Sequence, residues 1–254
     1  MRTLAVIPAR LGAMRLPRKP LRLLAGTPLI VRVWERVCTL LDAASRCVIA
    51  TDSPEIIEAA RAAGAEAVLT SDRHASGTDR VAEVAARAEY SGYDVIVNVQ
   101  GDEPFLAAAA FSGAVLMVDA RGFALGTAAA PVSAGALGDP NVVKVVAADD
   151  GRALYFSRAP IPFLRDAADA RARDTLVRQH IGIYAYEREA LGRWVSLEQH
   201  PLERVERLEQ LRPLAAGMAM GVAMIDEPAP RGIDTEADLI WANEHWGELT
   251  SGRA

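Results

Sequence analysis

Short, wholly apolar runs alternate with stretches in which apolar positions recur every three or four residues. Leu4-Ala5-Val6-Ile7 has no polar position and reads as a strand buried on both faces. In "TPLIVRVWERVCTLL", Leu29, Ile30, Val33, Trp34 and Val37 fall at helical spacing, with Thr27 placed as cap and Pro28 in the first turn. "CVIATD" is a second strand, and a helix opening at Pro54 runs to a stop at Gly64. "EAVLT", a helix beginning after Gly77, and "DVIVNVQ" continue the alternation. Doubly buried strands interleaved with helices predict a parallel sheet covered by helices.

The second half departs from that rhythm. "NVVKVVAADDGRALYFSR" predicts a hairpin turning at Asp150-Gly151. "QHIGIYAY" predicts another strand, and helices follow from about Pro201 and Thr235. The stretch "DAADARAR", Asp166 to Arg173, is expected to be a mobile surface loop. No internal repeat is visible. An antiparallel addition to a mainly parallel sheet, within one α/β domain, is the simplest architecture.

The chain has 254 residues, 51% of them hydrophobic and 24% charged, enough to bury a large core. This balance excludes wholesale disorder. A net charge of -5 argues against a general nucleic-acid binder, which would present a broadly basic surface. No apolar run is long enough to span a bilayer. Met1 leads almost directly into the first strand, leaving no room for a secretory signal, so a cytoplasmic protein is expected. Cys38 and Cys47 lack metal-ligand spacing and are expected to be reduced, partly buried thiols.

Against this acidic background, "IPARLGAMRLPRKP" gathers Arg10, Arg15, Arg18 and Lys19 without an acidic residue. The loop follows the first strand, and open α/β sheets bind ligands beyond the carboxyl ends of their strands. Forked guanidinium contacts and a point-charge ammonium suit a polyphosphate; the bland alternative is a solvated basic loop. Neither a GxxxxGK[ST] loop nor a GxGxxG turn is present, so side chains must hold the anion. "VNVQGDEP" ends another buried strand in Asp102 and Glu103. A carboxylate facing a polyphosphate needs a cation between them, and Mg²⁺ takes one or two carboxylates plus phosphate oxygens. Capping of a following helix is the alternative.

Three further segments carry candidates. In "RGIDTEADL", Asp234 is a candidate, although it or Thr235 would serve equally as a helix cap. "HASGTDR" puts a flexible turn before a helix start, fit for a ribose, a base edge or an anion, or for an ordinary Ser/Thr cap. In "QHIGIYAY", strand alternation sets His180, Gly182 and Tyr184 on one face and Ile181 and Ile183 on the other. That face is either a polar platform for a ligand or the setting of a structural histidine. On "PLERVERLEQLRPL", Glu209 lies at i+7 from Leu202 and i+4 from Val205, toward the buried side, and is expected to meet a cation or hydroxyls.

In order along the chain, IPARLGAMRLPRKP, SGT, VNVQGDEP, DPNVVKVV, ALYFSRAPIP, HIGIY, PLERVERLEQLR and GIDT resemble the 3-deoxy-manno-octulosonate cytidylyltransferases (CMP-Kdo synthetases), from Ile7 to about Asp238. The resemblance implies a Rossmann-like nucleotide-diphospho-sugar transferase fold, with a nucleotide-binding half over about residues 1–135 and a sugar-binding and dimerisation half over about 136–254. It implies the reaction of CTP with Kdo to give CMP-Kdo and diphosphate for lipopolysaccharide biosynthesis, with Mg²⁺ as cofactor and a homodimer as the assembly. Carried over by motif, Pro8, Ala9, Arg10, Arg15 and Lys19 would surround the triphosphate, and Ser76 and Gly77 the cytidine. Arg80 and Gln100 would lie between nucleotide and sugar, and Asp102 and Asp234 would bind the metal. Lys19 would join these aspartates in catalysis, and His180, Tyr184, Glu209 and Gln210 would line the sugar pocket. Two positions depart from the family pattern: Met14 replaces a usual Ser or Thr, and Arg18 a usual Gly. The rival readings are a cytidylyltransferase for 8-amino-Kdo or a nonulosonate, and a catalytically silent nucleotide-binding module.

Overall fold

A computed structural model describes residues 2–12, 15–229 and 231–251. In chain order it begins with strand β1 (Thr3–Ala9), a 3₁₀ turn over Lys19–Leu21, the short strands β2 (Leu23–Leu24) and β3 (Thr27–Pro28), and helix α1 (Leu29–Cys38). Then come β4 (Arg46–Thr51), α2 (Pro54–Ala62), β5 (Ala67–Leu69), α3 (Gly77–Ala85) and β6 (Val95–Asn98). Helix α4 (Ala108–Asp119), β7 (Leu125–Pro131), β8 (Lys144–Ala147), β9 (Ala153–Ser157), α5 (Ala170–Leu176) and β10 (Arg178–Glu187) follow. The chain closes with α6 (Arg188–Ser196), α7 (Pro201–Glu206), α8 (Leu211–Ala215), β11 (Met220–Met224), α9 (Glu236–Glu244) and α10 (Trp246–Thr250).

These elements form two compact units, residues 1–106 with 230–254 and residues 107–229. In the first, β6, β1, β4 and β5 pair in parallel in that order, as the apolar runs predict. Leu4, Ala5, Val6 and Ile7 are fully buried, because helices cover both faces of a parallel sheet. The second unit is mixed: β7 pairs in parallel with β11 and antiparallel with β10, and β10 continues through the antiparallel hairpin of β8 and β9. Gly151 sits in that hairpin's turn with φ 88°, the left-handed conformation that glycine tolerates.

One apolar cluster explains how distant parts of the chain meet at a single place. Leu16, Leu24, Leu29, Phe105, Ile233 and Leu239 pack together, with Trp241 and Trp246 against them. Leu16 lies in the opening loop, Phe105 just after β6 and Ile233 just before α9. Each such burial contributes about 1.5–3 kcal/mol, so the three loops are pinned to one another. A backbone bond from Ile233 N–H to the Asp102 carbonyl, 3.0 Å, ties two of them directly.

Three local expectations are corrected. Thr27 does not cap α1: Thr27 and Pro28 pair back onto Leu24 and Leu23 as a small ribbon, and the helix starts after Pro28 without a side-chain cap. The segment from Asp166 to Arg173 is helical rather than a loop: the Asp166 side chain accepts from Ala168 N–H, and good helix formers continue the turn into α5. Helix α7 stops at Glu206 because Arg207 turns left-handed at φ 54°, so Glu209 is not on the helix its spacing suggested.

Candidate active site

Strands β1 and β6 end side by side, and beyond their carboxyl ends lies a cleft of about 280 Å³. Pro8, Ala9, Arg10, Lys19, Gln100 and Asp102 form part of its wall, as do His74, Ser76, Gly77 and Arg80. Two glycines let the walls approach. A Cβ at Gly101 would lie 3.1 Å from the Pro8 carbonyl oxygen, and one at Gly77 3.3 Å from Pro8 Cγ. The sequence thus brings the opening loop, the turn before α3 and the end of β6 to one site, as its motifs predict.

The cationic loop divides its labour. Lys19 Nζ donates to Asp102 Oδ2 at 2.6 Å and to Asp234 Oδ1 at 2.9 Å. Burial disfavours the Lys19 ammonium, but the two carboxylates outweigh it and its pKa is raised. Arg15 Nη2 lies 3.1 Å from Asp234 Oδ1 and is largely exposed, while exposed Arg10 borders the cleft. Arg18 turns away to pair with Glu55 on α2. It holds φ 57°, in the left-handed region that favours glycine, which gives a conformational reason for the glycine usual at this position. Met14, the other departure, lies outside the described residues.

Both aspartates are free of the capping roles that competed for them. Helix α9 is capped by Thr235 in a capping box with Asp238, and α4 has Ala107 at its cap position. Asp102 and Asp234 therefore meet over Lys19 as open carboxylates. Glu103 lies beside them with Oε2 buried and without a hydrogen-bond partner. Burial raises its carboxyl to about 8, helped by Asp102 and Asp234 and opposed by Lys19, so it is protonated at neutral pH. Gly232 leaves room for it: a Cβ there would lie 3.0 Å from Glu103 Oε1. From sequence, Glu103 is open between a carboxylate facing a bound cation and a helix cap; its position between a buried strand and Phe105 is the signal for its burial.

The donor set suits a hard divalent cation, since two carboxylates converge where a positive charge already sits. Among the described residues no three or more His, Cys, Asp or Glu side chains group to hold a metal. An ion held here would therefore need substrate oxygens as well as Asp102 and Asp234.

At the turn before α3, Ser76 is the ordinary cap that the sequence left open. Its Oγ accepts from Asp79 N–H at 3.1 Å and donates to Asp79 Oδ2 at 3.0 Å. Arg80 is buried on the same helix, paired with Asp52 Oδ2 at 2.7 Å and with the Thr70 hydroxyl. It borders the cleft as a fixed cation rather than a mobile one.

The sequence matches the family described as Cytidylyltransferase over residues 4–220. It is 60% identical to a 3-deoxy-manno-octulosonate cytidylyltransferase of Gemmatimonas aurantiaca over 249 residues, 98% of this chain and 96% of that one. A namesake from Pseudomonas syringae pv. syringae is 47% identical over 241 residues, 92% of this chain and 94% of that one. The fold superimposes on a CMP:2-keto-3-deoxy-manno-octonic acid synthetase complexed with CTP at a TM-score of 0.87, with 36% identity, covering 98% of this chain and 99% of that one. The chain belongs to the 3-deoxy-manno-octulosonate cytidylyltransferase family.

In this cytidylyltransferase the remaining expected site residues stand in the second unit. His180 and Tyr184 lie on one face of β10 as alternation predicts, their rings 5.4 Å apart. His180 Nε2 lies 2.9 Å from Thr127 Oγ1, whose hydroxyl donates to the Ile183 carbonyl at 2.6 Å. The Thr127 oxygen must therefore accept, and the His180 proton sits on Nε2. Burial pushes the His180 pKa down to about 3, so the ring is neutral at physiological pH. Gln210 is buried, and half-buried Glu209 lies 4.0 Å from Arg212 Nη2. The acid that sequence reasoning missed here is Glu203. It is 5% exposed and takes a forked pair from Arg212, at 2.8 Å to Nε and 2.7 Å to Nη2.

Among the described residues no helix is long and apolar enough to cross a membrane. Cys38 is exposed and Cys47 buried, and both are free thiols.

Proposed function

We infer that this chain is a nucleotidyltransferase that activates Kdo by transferring CMP from CTP, with release of diphosphate. One observation carries the reading: Lys19, Asp102 and Asp234 converge beside the cleft at the ends of β1 and β6, in a chain 60% identical to a protein named for that activity. The anomeric hydroxyl of the sugar acid attacks the α-phosphorus in line. A sugar–phosphate bond forms as the bond to the β-phosphate oxygen breaks, and the hydroxyl's proton passes to solvent.

The chain's own residues position and neutralise. Arg10 and Arg15 bind phosphate oxygens at the mouth of the cleft, with Pro8 and Ala9 as its floor. Lys19, drawn from the carboxylates to the triphosphate, offsets the charge that builds on the leaving diphosphate. Ser76 and Gly77 border the cytidine, and Arg80 and Gln100 face the region between nucleotide and sugar. His180, Tyr184, Glu209 and Gln210 bind the sugar acid, with His180 as a neutral hydrogen-bonding group. Asp102 and Asp234 would hold Mg²⁺, which when bound would draw charge off the phosphates and acidify the attacking hydroxyl. We further propose a cytoplasmic homodimer whose product serves lipopolysaccharide biosynthesis.

The test is diphosphate release from CTP with Kdo and a panel of other acidic sugars, with and without Mg²⁺. Release with Kdo that depends on Mg²⁺ is expected. Release with none of the sugars overturns the catalytic reading, and release with only a different sugar moves the substrate.

A further inference from the structure

Arg80 carries its charge where solvent barely reaches it, and the two side chains that hold it there have no part in the reaction as derived above. The residue lies on α3, is 3% exposed and borders the cleft. A buried guanidinium is tolerated only when it is paired and hydrogen-bonded. Nη2 donates to Asp52 Oδ2 at 2.7 Å, and Nη1 donates to the Thr70 hydroxyl.

Both partners stand directly after strands. Asp52 follows β4 and Thr70 follows β5, and these strands pair in parallel with Thr51 opposite Leu69. The ladder runs one step further, because Thr70 N–H donates to the Thr51 carbonyl at 2.9 Å. The turn after β4 is fixed as well: Ser53 N–H donates to Thr51 Oγ1 at 3.1 Å. Asp52 and Thr70 are thus placed by the sheet, and rigid elements hold a functional group more precisely than loops do. They take different Nη nitrogens, so they set the plane of the guanidinium as well as its position. Their two bonds use only two of its five N–H groups. Exposed Arg10 and Arg15 contrast with it, since an anion must order their side chains at a cost in entropy.

Resting on the reading of Arg80 as a group between nucleotide and sugar, we propose that Asp52 and Thr70 are positioning residues for the transfer: the two strand ends hold the Arg80 guanidinium in the plane in which it meets the bound substrates. The plainer role, a tie between α3 and the sheet, makes a different kinetic prediction. Loosening α3 would disturb Ser76 and Gly77 at its start and raise KM for CTP. Misaligning Arg80 leaves the triphosphate to Arg10, Arg15 and Lys19 and lowers kcat.

The test is diphosphate release with CTP, Kdo and Mg²⁺ in wild type, Asp52→Asn, Thr70→Val and Thr70→Ser, beside urea unfolding of each. Asp52→Asn is expected to lower kcat by about tenfold or more while KM for CTP moves by less than about threefold. Thr70→Val, which keeps the branched shape and removes the hydroxyl, is expected to lower kcat in the same way by a smaller factor, and Thr70→Ser to return most of it. Where Asp52→Asn fails to fold, the Thr70 pair decides. Full kcat in Thr70→Val, a loss confined to KM for CTP, or equal losses in Thr70→Val and Thr70→Ser overturns the proposal and leaves the transfer reading intact. No turnover in wild type overturns both.

Discussion

The Lys19 ammonium lies 2.6 Å from Asp102 Oδ2, so in the free protein a lysine occupies the place where the metal reading puts a cation. On that reading, lysine and metal would compete for the same carboxylates. Replacing Lys19 by Met removes the cation shared by Asp102 and Asp234 and leaves, among the described residues, only the exposed Arg15, on Asp234. Binding of Mg²⁺ to the free chain is expected to tighten by about tenfold, since an ion pair at this range is worth about 1–4 kcal/mol. Turnover is expected to fall by about 10²–10³, the loss typical of removing one charge-stabilising group. Calorimetry with Mg²⁺ alone and diphosphate release read the two effects separately. Weaker metal binding in Lys19→Met would refute the competition.

Asp102→Asn keeps the shape of the site and removes one carboxylate charge. Turnover is expected to vanish across a Mg²⁺ titration, while CTP binding survives in part, because Arg10 and Arg15 do not depend on Asp102. Equilibrium binding of CTP beside activity makes the distinction. Undiminished turnover at every Mg²⁺ concentration would rule out the metal assignment.

Arg18 pairs with Glu55 on the exposed face of its loop and holds a left-handed backbone. Arg18→Gly removes an ion pair of the exposed kind that stabilises little, and relieves a conformation glycine adopts freely. These effects oppose each other, so Tm is expected to move by no more than about 3 °C and kcat/KM by less than about twofold. A tenfold loss of activity would restore Arg18 to the phosphate-binding set.

What the sequence made legible followed from periodicity and local charge. Leu4 to Ile7 announced a buried strand because no position was polar, and the loop cations pointed to an anion only because no acid within the loop offsets them, whereas the fold brings Asp102, Asp234 and Glu55 to three of them. Asp234 was undecidable alone: its role depends on Leu16, Phe105 and Ile233 packing together, a contact across more than half the chain. Strand β7, "LGTAAAP", escaped notice because its small residues carry no strand signature. They are small because α4 crosses closely, and a Cβ at Gly126 would lie 2.2 Å from the Ala114 carbonyl oxygen. Glu209 was misplaced because nothing local signals that Arg207 turns left-handed and ends its helix.

Glu83 predicts a pH dependence whose sign is fixed. Its carboxyl is lowered from 4.5 to about 2 in the folded protein, with the Ser71 amide, His74 and Arg87 overcoming the opposing effect of burial. A depressed folded value contributes stability that is fully present above the unfolded value, near 4.5, and is lost as pH falls toward about 2. Glu83→Gln is therefore expected to be less stable than wild type at pH about 7, with the gap closing through that acidic window. Urea unfolding of both proteins at several values between pH about 7 and pH about 3 measures the gap. The mechanism is electrostatic, so the variant's unfolding should be less sensitive to acid than that of wild type. A gap that stays constant with pH would mean that Glu83 stabilises the turn by packing and hydrogen-bond geometry instead of by its charge.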